Sequence, residues 1–67
     1  MIFAQRLRSL RGEAGLNQGE LATALHTTQR RISYWETGKI EPDLTSLCHL
    51  AAYFDVSVDY LLGLKDF

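Results

Sequence analysis

Apolar residues recur along this chain at helical intervals. Phe3, Leu7, Leu10 and Ala14 stand three or four apart and form one stripe, which predicts a first helix from about Ile2 to Ala14. Gly15 follows, at the place where a left-handed residue commonly ends a helix, and Leu16 can fold back onto the stripe. Asn17 and Glu20 have capping-box spacing. Leu21, Ala22 and Leu25 then give a second buried face, so a short helix is expected from about Gln18 to Leu25. The polar stretch His26, Thr27, Thr28 breaks the pattern, and Thr28 is a good N-cap. Ile32 and Trp35 share one face of a third helix, about Gln29 to Thr37, stopped by Gly38. Gly38 to Asp43 contains the single proline, Pro42, and reads as a loop. Asp43 can cap a fourth helix whose stripe is Leu44, Leu47, Leu50, Ala51 and Phe54, and Asp55 falls where aspartate tolerates a left-handed ending. Ser57 caps a last short helix, about Val58 to Leu62, before Gly63. No segment alternates apolar and polar residues, so no strand is expected. The predicted fold is all-α: five short helices around one core.

Sixty-seven residues leave room for one domain, spanning 1–67. A chain of this size buries only about 60% of the surface its unfolded form exposes, so regular packing or a covalent staple must compensate. Cys48 is the only cysteine, which excludes an internal disulfide and fits a reducing cytosol. Cys48, His26 and His49 lack the paired spacing of a zinc site, so no metal is expected. No apolar run is long enough to span a bilayer, and no basic-then-apolar leader opens the chain, so a cytoplasmic location with no membrane partner is expected. Catalysis is not expected either. Cys48 and His49 are adjacent on a helix and point about 100° apart, which does not make a nucleophile–base pair. No glycine-rich phosphate loop or paired-carboxylate site is visible, and neither a cofactor nor a small-molecule ligand is evident.

Net charge is −1, but it is unevenly distributed. Residues 1–39 carry six basic groups against three acidic ones, while residues 40–67 carry one basic group against five acidic ones. One end of the molecule should therefore attract phosphate and the other repel it. Two short helices joined by a tight three-residue turn form a helix-turn-helix unit, here about residues 18–37. In such a unit the second helix lies in the major groove, anchored by an apolar inner face and carrying long hydrogen-bonding side chains outside. The third helix meets both requirements, with Ile32 and Trp35 inward and Gln29, Arg30, Arg31 and Tyr34 available outward.

These segments carry a resemblance. Arg6, Leu7, Arg8, Leu10 and Arg11 stand in the first helix, and Gly15, Leu16, Asn17, Gln18, Glu20, Leu21 and Ala22 run through the second. Ile32, Ser33, Trp35, Glu36, Gly38 and Lys39 follow in the third, then Pro42, then the run from Val56 to Gly63. In this order and spacing the chain resembles the lambda-repressor-like, Cro/C1-type (XRE-like) helix-turn-helix family of the lambdoid phage repressors, over nearly its whole length. The resemblance implies base contacts by Gln29, Arg30, Tyr34 and Gln18. It implies backbone contacts by Asn17, Thr28, Arg31, Thr37 and Lys39, and a structural ion pair between Arg11 and Glu36. His26 and Asp55 replace glycines common in relatives, and Ile40 and Glu41 stand where several phage repressors are basic.

One unit reads only about one half-site, so a homodimer on a near-palindromic operator is expected, with half-sites about 34 Å apart. In relatives the C-terminal region pairs the subunits, which points to Tyr60, Leu61, Leu64 and Phe67, with Leu62 in the same apolar group. The expected function is a sequence-specific, double-stranded DNA-binding transcriptional regulator acting as a repressor by occupying a promoter. Activation through RNA polymerase is the other mode, and a protein-interaction module such as an antitoxin or docking domain is the alternative use of the fold.

Overall fold

The computed structural model describes residues 2–67, and it contains five helices and no strand among them. They are α1 (Ile2–Glu13), α2 (Gln18–Ala24), α3 (Gln29–Glu36), α4 (Leu44–Phe54) and α5 (Val58–Leu62). Three helices end slightly earlier than their sequence pattern suggests, because Ala14, Leu25 and Thr37 belong to the reversals that follow.

Those reversals share one design. Gly15, His26, Gly38, Asp55 and Gly63 all adopt positive φ, and no other described residue does. In each case the next residue turns its backbone N–H onto a carbonyl of the last helical turn: Leu16 to Arg11, Thr27 to Ala22, Lys39 to Tyr34, Val56 to Ala51 and Leu64 to Asp59, all at 2.9–3.1 Å. This left-handed ending satisfies carbonyls that a helix end would otherwise leave without donors. The departure at His26 is thus accommodated without changing the turn, at φ 56°. A non-glycine residue there carries a steric cost of roughly 1–2 kcal/mol.

The starts are capped as the residue types dictate. The Asn17 side chain accepts from the Glu20 amide at 2.7 Å while the Glu20 carboxylate accepts from the Asn17 amide at 2.9 Å, a complete capping box. Thr28 caps α3 through the Arg31 amide and Ser57 caps α5 through the Tyr60 amide. Asp43 stands at the N-cap of α4 but makes no side-chain cap bond.

The core gathers Phe3 and Leu7 from α1, Leu21 and Ala22 from α2, and Ile32 and Trp35 from α3. Leu47, Leu50 and Ala51 of α4 and Leu61 of α5 complete it. α3 packs on α1 and α2, and α5 packs on α1 and α4, so α3 is held from behind by two helices. Two expectations are corrected. Leu61, assigned to the subunit face, is fully buried at 0% exposure, since in a five-residue helix it is the one side chain that the core encloses fully. Leu44, counted in the α4 stripe, is 81% exposed, because the first turn of α4 projects past the core.

α1 and α5 meet closely. A Cβ on Gly63 would lie 2.7 Å from the Ile2 Cγ2, whereas one on Gly15 would meet nothing. Both glycines are left-handed, at φ 82° and 73°. Gly15→Ala is therefore expected to cost the backbone penalty alone, about 1–2 kcal/mol, and Gly63→Ala more, since Ile2 must also be displaced. Urea denaturation of the two variants checks the order.

Candidate nucleic-acid interface

α3 is anchored by its inner face. Ile32 is fully buried, and Trp35 and Glu36 are 2% and 3% exposed. Glu36 is the only buried charged residue among those described, and its partners explain why it is tolerated. Arg11 grips it in a fork, Nε to Oε2 at 2.6 Å and Nη2 to Oε1 at 3.0 Å. The third Arg11 nitrogen, Nη1, donates to the Leu16 carbonyl at 2.9 Å, tying in the turn after α1. The hydrogen bond to Glu36, assisted by its charge and opposed by burial, raises the Arg11 guanidinium above its already high ordinary pKa. Such bidentate, charge-assisted geometry is the strongest form of this pair. The expected ion pair is present, and it fixes α3 to α1.

Gln18 joins the same network. Its Nε2 donates to Glu36 Oε1 at 3.2 Å, so one carboxylate holds α1, α2 and α3 together. The half-buried Gln18 amide is thereby oriented with its nitrogen inward.

The outer face of α3 shows the expected display. Gln29 and Arg30 are exposed and Tyr34 is half-buried. Gly19 of α2 backs Gln29 closely, since a Cβ there would lie 3.7 Å from Gln29 Oε1. Lys39 places its ammonium 4.7 Å from the Tyr34 ring centroid, a cation–π contact at the rim of the same face. The exposed Thr37 bonds back to the Ser33 and Tyr34 carbonyls at 3.0 and 3.4 Å. Asn17 and Thr28 sit exposed at the starts of α2 and α3, where unpaired amides favour anions. Arg31 is also exposed, at the edge of this face nearest the start of α4. It reaches Asp43 at 3.4 Å and lies over the Trp35 ring at 5.5 Å. The neighbouring Ser46 hydroxyl, more than Arg31, holds the Asp43 carboxyl below the usual carboxylate range.

Two features escaped the sequence. Arg6 donates to the carbonyls of Tyr60 and Lys65, approaches Asp66 at 3.6 Å, and stacks 4.2 Å from the Tyr60 ring centroid. It clamps the segment after α5 onto α1, a role that a lone arginine beside an apolar stripe does not announce. Trp35 Nε1 is the one buried side-chain nitrogen or oxygen among the described residues with no hydrogen-bond partner in the protein. An orphaned donor of this kind costs roughly 1–3 kcal/mol.

The candidate dimer residues separate. Leu64 and Phe67 are 72% and 83% exposed, Tyr60 is half-buried beneath Arg6, and Leu61 is unavailable. No described helix is long and apolar enough to cross a membrane, and no group of three metal-ligating side chains is found among the described residues.

A family profile described as helix-turn-helix matches residues 7–61. The chain belongs to this helix-turn-helix family. It is 39% identical over 63 residues to the HTH-type transcriptional activator BcrR of Enterococcus faecalis, covering 94% of this chain and 31% of that protein. It is 38% identical over 65 residues to the uncharacterized HTH-type transcriptional regulator YobD of Bacillus subtilis, covering 97% of this chain and 58% of that one. The chain thus spans less than two thirds of these helix-turn-helix relatives. Among solved structures it is similar to the P22 c2 repressor in complex with a synthetic operator, with TM-score 0.85 and 28% identity over 91% of this chain and 92% of that one. The five-helix fold is therefore that of the lambdoid repressor DNA-binding domains.

The network around Glu36 can be tested directly. Arg11→Ala strands a buried carboxylate and is expected to cost about 3–5 kcal/mol. Replacing both partners, as Arg11→Met with Glu36→Leu, should cost clearly less, because no unpaired charge remains. Paired urea titrations measure the difference.

Proposed function

We propose that this helix-turn-helix chain is a sequence-specific regulator of transcription that binds double-stranded DNA through the major groove. The observation that carries the reading is the two-faced build of α3. Ile32, Trp35 and Glu36 are buried, while Gln29 and Arg30 are exposed and Tyr34 is partly so. Gln29 is suited to pair with adenine and Arg30 with guanine, each contact discriminating by about 1–3 kcal/mol. Tyr34 extends the same face. With the Gln18 amide nitrogen held by Glu36, its oxygen is the atom left to accept from a base amino group. Asn17, Thr28, Thr37, Lys39 and Arg31 supply phosphate contacts, which position without specifying. The relatives support this reading, since one is a transcriptional activator and one a repressor solved in complex with a synthetic operator.

The regulator acts as a homodimer on a near-palindromic operator, with Leu64, Phe67 and the half-exposed Leu62 forming the subunit contact and Tyr60 at its edge. Repression follows from occupying a promoter, and contact with RNA polymerase provides the route to activation.

Selection of bound duplexes from a random pool, followed by mobility-shift titration, tests the proposal. Gln29→Ala combined with Arg30→Ala is expected to abolish preference for the selected sequence while circular dichroism shows unchanged helix content. Equal affinity of the double variant and its parent for that sequence would refute the base-reading role. Lys39→Ala should instead weaken binding uniformly across sequences and lower the slope of log K against log salt by about 1. Absence of any shift at low salt, with a stable heteromeric complex in pull-down, would favour a protein-interaction module.

A further inference from the structure

Gly19 is a glycine that the backbone does not require. Gly15, Gly38 and Gly63 stand at positive φ, but Gly19 is not among them and lies within α2, as its second residue. Alanine is the better helix former there. What the absent side chain provides is space. A Cβ on Gly19 would lie 3.4 Å from Asn17 Oδ1 and 3.7 Å from Gln29 Oε1, so two amide oxygens converge over its bare backbone. They are held with different firmness. Asn17 Oδ1 accepts from the Glu20 amide at 2.7 Å within the capping box, and it cannot move without uncapping α2. Gln29 is the exposed first residue of α3, and its amide is the far end of a flexible side chain.

We propose that Gly19 is a positioning residue that determines specificity: by leaving this space open it lets the Gln29 amide settle against α2, and a larger residue displaces Gln29 and changes the base it prefers. The inference rests on the base-reading role proposed for Gln29. Alanine fits, since both distances are ordinary van der Waals contacts. A β-branched residue, stiff at χ1, sets two further carbons about the same point. Because Asn17 is fixed by its cap bond, the displacement falls on Gln29. Moving the end of an exposed side chain costs the fold little, yet it removes the alignment that a bidentate pair with adenine needs. Position 19 thus acts on base reading through Gln29, without itself meeting a base.

The test compares Gly19→Ala, Gly19→Val and Gly19→Leu with the parent chain on a duplex selected from a random pool, each with Gln29 and with Gln29→Ala. Single-pair variants of that duplex first locate the base pair at which Gln29→Ala loses preference. Gly19→Val is expected to lose about tenfold in affinity for the selected duplex and to bind equally the duplex altered at the Gln29 pair. Gly19→Ala is expected to stay within about twofold of the parent. With Gln29→Ala already present, Gly19→Val should change affinity by less than about twofold, the signature of an effect carried by Gln29. Urea midpoints report the fold, and Gly19→Leu supplies comparable bulk on a better helix former should valine weaken α2. Full preference at the Gln29 pair in both the valine and leucine variants would overturn the proposal. So would an equal loss with alanine, a loss that persists without Gln29, or a loss uniform across all duplexes, which would set position 19 against the phosphate backbone. A parent chain that selects no sequence, or a Gln29→Ala variant that keeps every preference, would instead remove the base-reading role itself and this inference with it.

Discussion

A single buried carboxylate sets the geometry on which the exposed face of α3 depends. Glu36 ends α3 in the interior, where a lone charge would be prohibitive. The fold brings it the Arg11 fork from α1 and the Gln18 amide from α2, and Arg11 in turn holds the Leu16 carbonyl. Hydrophobic contacts from Ile32 and Trp35 press α3 onto the core but tolerate sliding, because apolar contact is not directional. The hydrogen bonds around Glu36 are directional. They fix both the rotation of α3 about its axis and its distance from α2, which decide what Gln29 and Arg30 can reach.

The surface around that helix is occupied even in the unbound protein. Lys39 rests on Tyr34, and Arg31 rests on Trp35 and Asp43. Exchange of such contacts for phosphate oxygens costs little, since exposed pairs are individually weak. The side chains are thus held in place by contacts that can be given up. The acid-rich C-terminal half confines any favourable approach of nucleic acid to one side.

Much of this was legible in the order of residues. Helix existence, the capping box at Asn17 and Glu20, and left-handed endings at Gly15, Asp55 and Gly63 follow from local chemistry, which a sequence displays directly. The Arg11–Glu36 pair was legible only through family resemblance, because 25 positions separate the two. What was not legible depends on how far elements overlap. Leu44 and Leu61 have the same residue type and both lie on apolar stripes, yet one projects past the neighbouring helices and the other is enclosed. The Arg6 clamp likewise arises from the meeting of distant segments, and no local pattern encodes it.

The shared way in which the helices end carries a consequence for how the chain acquires its shape. Each left-handed reversal sends the backbone back within a few residues, so successive helices meet with little chain between them. Loop-closure entropy is then small at every step, and helical domains built from such local encounters reach the native state in roughly microseconds to milliseconds. The meeting of α1 with α5, sealed by Arg6, joins segments more than 50 residues apart and is the natural last event. In a domain assembled this way, α3 is seated between α1 and α2 before α1 and α5 are fastened together.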